Sequence, residues 1–328
     1  MIFPLIDPFQ RRVRDLRISI TDRCNFRCTY CMPDEGMVWQ PREDLLTYEE
    51  IERVARICVT RWGFTGIRLT GGEPTVRADL ATLVEKLAGL GVDLAMTTNG
   101  ATLGLLAPRL RQAGLRRVTV SCDSLRQERF ASITHRDALH RVLDGIGAAV
   151  AAGLAPVKVN CVLMRGVNDD EILDFAAFGR ANGVVVRFIE FMPLDAQGAW
   201  TAETVVTYDE VVRTIDAVYP LDPVAGRGSE PAERFVYRDG GGEVGVIASV
   251  TRNFCGSCDR VRLTADGQFR NCLFAVRETD LRAVLRSGGS DDDVARAIEA
   301  DVGMKWAGHA IGRVTFIRPQ RSMSQIGG

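Results

Sequence analysis

Thr21-Asp22-Arg23-Cys24-Asn25-Phe26-Arg27-Cys28-Thr29-Tyr30-Cys31-Met32-Pro33 decides how this chain is read. Three cysteines stand at C-x3-C-x2-C, directly after an apolar, strand-like run. Thiolates this close in sequence can converge on one metal centre if the segment loops around it. A 4Fe–4S cluster ordinarily takes four thiolates. No fourth cysteine is near Cys24, Cys28 and Cys31, so one iron would stay open to a ligand from outside the protein. An open coordination position marks a catalytic metal site and a filled one a structural site. A zinc knuckle or three unrelated thiols are the plainer alternatives, but zinc ligands usually come as C-x2–4-C pairs with a second pair downstream.

Before and after this loop, strand and helix patterns alternate. Arg14 to Thr21 reads as a strand, with Leu16, Ile18 and Ile20 alternating with Arg17, Ser19 and Thr21. Further strands are expected at Gly66 to Thr70, Asp93 to Asn99, Arg117 to Asp123, Pro156 to Leu163 and Val184 to Glu190. Helices are expected at Tyr48 to Trp62, Ala78 to Leu90, Ala101 to Ala113, Ala138 to Ala152, Asp169 to Asn182 and Tyr208 to Val218. Such alternation predicts an α/β fold with a parallel sheet. It stops short of eight units, which predicts a partial (βα)6 barrel of the TIM type. The Pro- and Gly-rich stretch Pro220 to Pro231 places a domain boundary near Val224. Residues 1–223 would form the partial barrel and residues 224–328 a smaller α+β domain. In the latter, strands are expected at Arg234 to Tyr237, Val244 to Val250, Val261 to Thr264 and Gln268 to Asn271, with helices at Leu281 to Arg286 and Asp293 to Asp301.

One parity of the first strands is polar: Arg17 and Ser19, Arg68 and Thr70, Thr97 and Asn99, Ser121 and Asp123, Lys158 and Asn160. Strands covered by helices usually read as nearly continuous apolar runs. Unpaired polar groups in a closed core are expensive. The inner face is therefore expected to be open to polar ligands, and Arg17, Arg68 and Lys158, joined by Arg187, suit a polyanion. A solvent-facing antiparallel sheet would give the same alternation, but the interleaved helices argue against it.

The second constellation is Cys255-Gly256-Ser257-Cys258 with Cys272, spaced C-x2-C-x13-C across a hairpin expected to turn at Ala265-Asp266-Gly267. A zinc ribbon would need a fourth ligand, for which only His309 is available downstream. Cys58, Cys122 and Cys161 lie in apolar patterns and read as core.

Over all 328 residues the formal net charge is −1, so no global field draws nucleic acid or a membrane. Nine cysteines, three of them packed together, fit a reducing compartment rather than a disulfide scaffold. The first ten residues do not read as a signal peptide, and no apolar run reaches transmembrane length, so cytoplasm is the expected location. Lys86, Lys158 and Lys305 are the only lysines in an arginine-rich chain, and each carries correspondingly more weight than a lone arginine.

C-x3-C-x2-C with an aromatic residue before its third cysteine resembles the radical S-adenosylmethionine (SAM) enzymes. The string Arg17-Ile18-Ser19-Ile20-Thr21-Asp22-Arg23-Cys24-Asn25 is similar to the molybdenum cofactor biosynthesis protein A family, the GTP 3′,8-cyclases. The resemblance implies a lyase that converts GTP to 3′,8-cyclo-7,8-dihydro-GTP through a SAM-derived 5′-deoxyadenosyl radical, the first step of molybdenum cofactor biosynthesis. It implies two 4Fe–4S clusters, one on Cys24, Cys28 and Cys31 and one on Cys255, Cys258 and Cys272. It assigns SAM to Tyr30, Gly72 (within Gly71-Gly72-Glu73-Pro74), Ser121 and Met192. It assigns GTP to Arg17, Arg68, Thr97, Lys158, Arg260, Val261 and Arg262. It further implies an electron donor and a downstream enzyme that takes the product, allows a homodimer, and gives the terminal Gly327-Gly328 a role in the site. A radical SAM enzyme acting on a peptide, or an electron-transfer module with two metal sites, are the competing readings.

Overall fold

In the computed structural model, residues 3–32, 37–311 and 316–327 are described. A short antiparallel ribbon of β1 (Leu5–Ile6) and β2 (Arg12–Val13) opens the chain. Then come β3 (Asp15–Ser19), β4 (Gly66–Thr70), β5 (Asp93–Thr98), β6 (Arg117–Ser121), β7 (Lys158–Leu163) and β8 (Val185–Glu190), each joined to its successor in parallel. The remaining strands are β9 (Leu221–Pro223), β10 (Glu233–Tyr237), β11 (Glu243–Ile247), β12 (Arg260–Leu263), β13 (Gln268–Arg270) and β14 (Thr279–Asp280). One twelve-stranded sheet results, in the order β14-β13-β12-β3-β4-β5-β6-β7-β8-β11-β10-β9. The α/β reading therefore holds.

The six expected βα strands fall within two residues of their observed bounds, because apolar parity fixes them. Leu16, Ile18, Ile67, Leu69, Leu94, Met96, Val118, Val120, Val159, Cys161, Val186 and Phe188 are all buried on the helix side. The first crossover helix, Tyr48–Trp62, starts at a capping box: Thr47 Oγ1 accepts from the Glu50 amide at 3.1 Å and Glu50 Oε2 from the Thr47 amide at 2.8 Å. It stops at Gly63, whose φ of 67° is left-handed. A further helix, Gln127–Thr134, is short and mixed in character, and periodicity alone did not find it.

The segment after residue 224 forms no sheet of its own. β12 pairs in parallel with β3, and β11 pairs in parallel with β8, so it extends both edges of the βα sheet. Its residues Val244, Val246, Val261, Leu263 and Phe269 belong to the same continuous core as Leu16 and Phe188. The sheet is strongly curled. Arg68 on β4 and Arg187 on β8, four strands apart, both reach Thr119 Oγ1, at 3.3 Å each. The polar parity faces the hollow of this curl.

Phe188, fully buried and edge-on to Phe175 at 6.2 Å between ring centres, sits where β8 meets its helix. Phe188→Ala should cost about 3–5 kcal/mol, read as a lower denaturation midpoint at unchanged slope. An unchanged midpoint would remove Phe188 from the core that holds β8.

Candidate functional site

The first cysteine loop leaves the C-terminal end of β3, the end at which βα folds place ligands. Its conformation is set by a neighbouring backbone. The Gly72 amide donates to Thr21 O at 2.7 Å and the Glu73 amide to Arg23 O at 2.8 Å. A Cβ on Gly72 would stand 2.3 Å from Arg23 O and 2.5 Å from Asp22 O, so only glycine permits this approach. Glu73, buried, accepts from Thr98 Oγ1 at 2.7 Å and the Asn99 amide at 2.6 Å. Asn99 Nδ2 in turn donates to Asn25 Oδ1 in the loop at 2.7 Å. The Gly-Gly-Glu stretch thus braces the cysteine loop against β5.

Burial raises all three thiols, Cys24 to about 11, Cys31 to about 12 and Cys28 well above its ordinary value. The charges of Cys31, Asp123 and Cys24 push Cys28 further in the same direction. Buried thiolates need a cation, and no lysine or arginine is the main influence on any of them. An iron centre fits this donor set. Among the described residues no three His, Cys, Asp or Glu side chains converge to hold a single metal ion. A four-iron cluster instead takes each thiolate on a different iron and so accepts more widely spread sulfurs.

Tyr30 lies between the last two cysteines. Its hydroxyl donates to Asp123 Oδ2 at 2.7 Å, and its ring meets Phe191 edge-on at 6.5 Å. Asp123 Oδ1 accepts from the Val162 amide at 2.8 Å. Burial lifts this carboxyl to about 6. Ser121 and half-buried Met192 close the same end of the hollow, at the ends of β6 and β8. Tyr30, Gly72, Ser121 and Met192 all lie at or just beyond the C-terminal ends of parallel strands. Asp123 and Asn99 acquire bracing roles that the sequence reading did not assign. Both stand on the polar parity beyond a strand's C-terminal end, and that position was the available signal.

Register aligns the cations. Arg262 pairs with Arg17 and Arg17 with Arg68, side by side across β12, β3 and β4. Thr97 pairs with Thr119 and Thr119 with Lys158; Asn160 pairs with Arg187. Arg187 Nε donates to Asn160 Oδ1 at 2.9 Å, and Arg68 Nη1 to Thr97 Oγ1 at 3.4 Å. Lys158, Arg187, Arg260 and Arg262 are all buried, at 6–8 % exposure. Among the described residues, Arg68, Arg187, Arg260 and Arg262 have no carboxylate at ion-pair distance. Asp15 approaches Arg17 only to 3.8 Å and Glu230 approaches Lys158 only to 4.0 Å. Burial, then repulsion from Arg260, lowers Arg17 to about 10; burial, then Arg17, lowers Arg262 to about 9. Arg17 Nε and Arg262 Nε are buried donors without an acceptor. A desolvated group of like charges with unused donors can receive a polyanion.

The second triad flanks the opposite end of the same strands. Cys258 stands two residues before Arg260, which pairs with Asp15 at the start of β3. Cys272 stands two residues after Arg270, which pairs with Arg262. The hairpin between them turns as expected, with Gly267 at φ 82° and its amide donating to Thr264 O at 3.0 Å. Burial pushes the Cys258 thiol up, but Arg260 and Lys305 more than offset it, leaving it at about 7. The His309 ring packs on Phe274 at 5.0 Å between centres and bonds the Ser249 backbone; only its own backbone meets Cys255. It is not placed as a fourth ligand. Cys58, Cys122 and Cys161 are buried core, as read from the sequence.

The tail returns to the mouth. The Ser324 backbone bonds the Cys31 thiol, and a Cβ on Gly327 would stand 2.3 Å from Thr70 Oγ1. Arg321 anchors it with two bonds to Asp266, at 3.1 and 2.8 Å. Gly328 lies outside the described residues.

Gly72→Ala forces the cysteine loop off its backbone contacts without touching the core. The variant should fold with a far-ultraviolet spectrum like the parent's, yet retain little iron on the first triad after anaerobic reconstitution. Full iron retention would show that the approach at Gly72 is incidental.

A family model described as Radical SAM superfamily matches residues 18–179, and one described as Molybdenum Cofactor Synthesis C matches residues 184–311. The GTP 3′,8-cyclase of Streptomyces coelicolor is 50% identical over 328 residues, covering 99% of this chain and 96% of that protein. GTP 3′,8-cyclase 2 of Mycobacterium tuberculosis is 47% identical over 332 residues, covering 99% and 92%. Among solved structures, native anSMEcpe with bound AdoMet aligns at TM-score 0.57 with 16% identity, over 81% of this chain and 77% of that one. Streptococcus suis SuiB bound to S-adenosylmethionine aligns at 0.56 with 13% identity, over 90% and 68%. These two structures share the fold alone. No helix among the described residues is long and apolar enough to cross a membrane. With half of its residues shared along nearly its whole length, the chain belongs to the GTP 3′,8-cyclase family of radical SAM enzymes.

Proposed function

We propose that this chain converts GTP to 3′,8-cyclo-7,8-dihydro-GTP, the entry step of molybdenum cofactor biosynthesis, with SAM as co-substrate. Cys24, Cys28 and Cys31 hold one 4Fe–4S cluster, and Cys255, Cys258 and Cys272 a second. A four-iron cluster held by the first triad would supply the electron for reductive cleavage of SAM and hence for removal of the ribose 3′ hydrogen; the bond from C3′ to guanine C8 would then be completed by one further electron from an external donor and one proton.

The observation that carries this reading is the row of buried cations between two cysteine triads. The reading treats the hollow as the lumen of a partial (βα)6 barrel, with residues 224–328 contributing the second-cluster and GTP-binding unit. Arg17, Arg68 and Lys158, assisted by Arg187, bind the triphosphate. Thr97 lies in the same row and takes a hydroxyl or phosphate oxygen. Arg260 and Arg262, with Val261 between them facing the core, hold the other end of the nucleotide beside the second triad. Tyr30, Gly72, Ser121 and Met192 border SAM at the strand C-terminal ends. Holding both substrates in one orientation removes much of the entropic part of the barrier. The tail over the mouth excludes water from the reacting atoms. An external electron donor and a downstream enzyme for the product complete the scheme.

The test is anaerobic: reconstitute with iron and sulfide, reduce, add SAM and GTP, and follow 5′-deoxyadenosine and cyclised nucleotide. Deoxyadenosine formed only with GTP, together with the product, is expected. Deoxyadenosine without GTP consumption would discard the substrate. Arg260→Ala and Arg262→Ala should each lower cyclisation by roughly 10²-fold or more while both clusters still assemble. Parent-like turnover by both would remove their assigned role.

Burial, then Arg187, lowers Lys158 to about 8. A triphosphate binds the charged ammonium, so this contribution to affinity is complete below about pH 8 and declines above it. GTP binding should therefore weaken by up to ~10-fold per pH unit above 8, and Lys158→Arg should flatten that slope. Equal slopes in the two proteins, measured calorimetrically from pH 7 to 9, would count against Lys158 as a phosphate ligand.

A further inference from the structure

Lys305 has no task in the scheme above. Of the chain's lysines, Lys86 pairs with Glu49 and Glu52 at the surface, and Lys158 faces the hollow. Lys305 is buried, at 4 % exposure. Its ammonium donates to Arg260 O at 2.6 Å and to Asn271 O. Those carbonyls belong to two different segments of the second triad. Arg260 lies two residues beyond Cys258, and Asn271 immediately precedes Cys272.

Two carbonyls satisfy hydrogen bonds but do not neutralise a charge. Among the described residues no carboxylate stands at ion-pair distance from Lys305 Nζ. Asp301, whose carboxyl Lys305 weakly stabilises, is turned to Thr279 Oγ1, which donates to its Oδ2 at 2.8 Å. The largest attractive charges on Lys305 are the sulfurs of Cys258 and Cys272, while Arg11 and Arg262 repel it. A buried cation without a counter-ion is costly, so its natural partner is whatever anionic group those sulfurs hold.

We propose that Lys305 is a positioning residue for the second cluster: a fixed positive charge that balances the cluster and ties its two cysteine segments together. The inference rests on the reading that Cys255, Cys258 and Cys272 hold a four-iron cluster. Cluster potentials respond to nearby charge and hydrogen bonding. A cation at this place favours the reduced, more negative form. Removing it makes the electron harder to add, so the potential of that cluster falls while the first cluster, at the other end of the strands, keeps its own.

The full chain is reconstituted anaerobically as parent, Lys305→Met, Lys305→Gln and Lys305→Arg. Iron is counted, and each cluster is titrated potentiometrically by electron paramagnetic resonance. A Cys24→Ser sample assigns the second wave. The expected result is a lower second-cluster potential in the Met and Gln variants, partial restoration in the Arg variant, and an unshifted first cluster. Loss of the second cluster in the neutral variants but not in the Arg variant would also support a required charge. Unchanged potentials with both clusters present would overturn the inference. Loss of the second cluster in all three variants would reduce Lys305 to packing and overturn it equally. Iron for only one cluster in the parent would instead overturn the two-cluster reading beneath it.

Discussion

The constraint on which the rest of this structure depends is the crowding of positive charge on the concave face of the sheet. Arg17, Arg68, Lys158, Arg187, Arg260 and Arg262 share it, and their carboxylate contacts are few and long. Like charges in a desolvated hollow repel one another, and a fold tolerates that only when its apolar side is secure. That side is secure here. The alternate residues of the same strands are completely buried beneath helices, in one continuous core that includes the C-terminal strands. The two parities of each strand therefore have opposite energetic roles, one holding the fold together and the other working against it in favour of a ligand.

Parallel pairing of β12 with β3 converts this chemistry into geometry. Cys24 follows the C-terminal end of β3, while Cys258 precedes the N-terminal end of its neighbour β12. Two strands running the same way thus carry their cysteines at opposite ends, separated by the strand length of five residues, roughly 16 Å. Arg17 and Arg262 lie side by side midway. An antiparallel β12 would have brought both triads to one end and left the cations without a purpose.

The periodicity of two and its helical counterpart exposed the βα strands, the polar face and the hairpin at Gly267, because each depends on residues close in sequence. The cysteine triads were legible for the same reason. The edge pairings of β11 and β12 were not. They join residues far apart in the chain, on either side of the Pro- and Gly-rich stretch near Val224. The bond from Tyr30 to Asp123 and the return of Gly327 to Thr70 depend on tertiary approach, of which a single sequence carries no local trace. Lys305 lies between these cases: its rarity in an arginine-rich chain was visible, its burial beside two sulfurs was not.

Rigid backbone contacts explain how so repulsive a hollow keeps its shape. Gly72 lies against Arg23 O, and Glu73 ties β5 to the loop through Asn99 and Asn25. Arg321 pins the tail to the hairpin turn at Asp266. None of these contacts involves the cations themselves, so the scaffold does not relax when they repel. The repulsion is held in place until an anion relieves it, and the free energy of that relief appears as binding. The same logic extends to the second triad. Arg260 and Lys305 lower Cys258 to about 7, whereas burial and the neighbouring sulfurs hold Cys28 well above its ordinary value. That asymmetry follows from where the cations were placed along the strands.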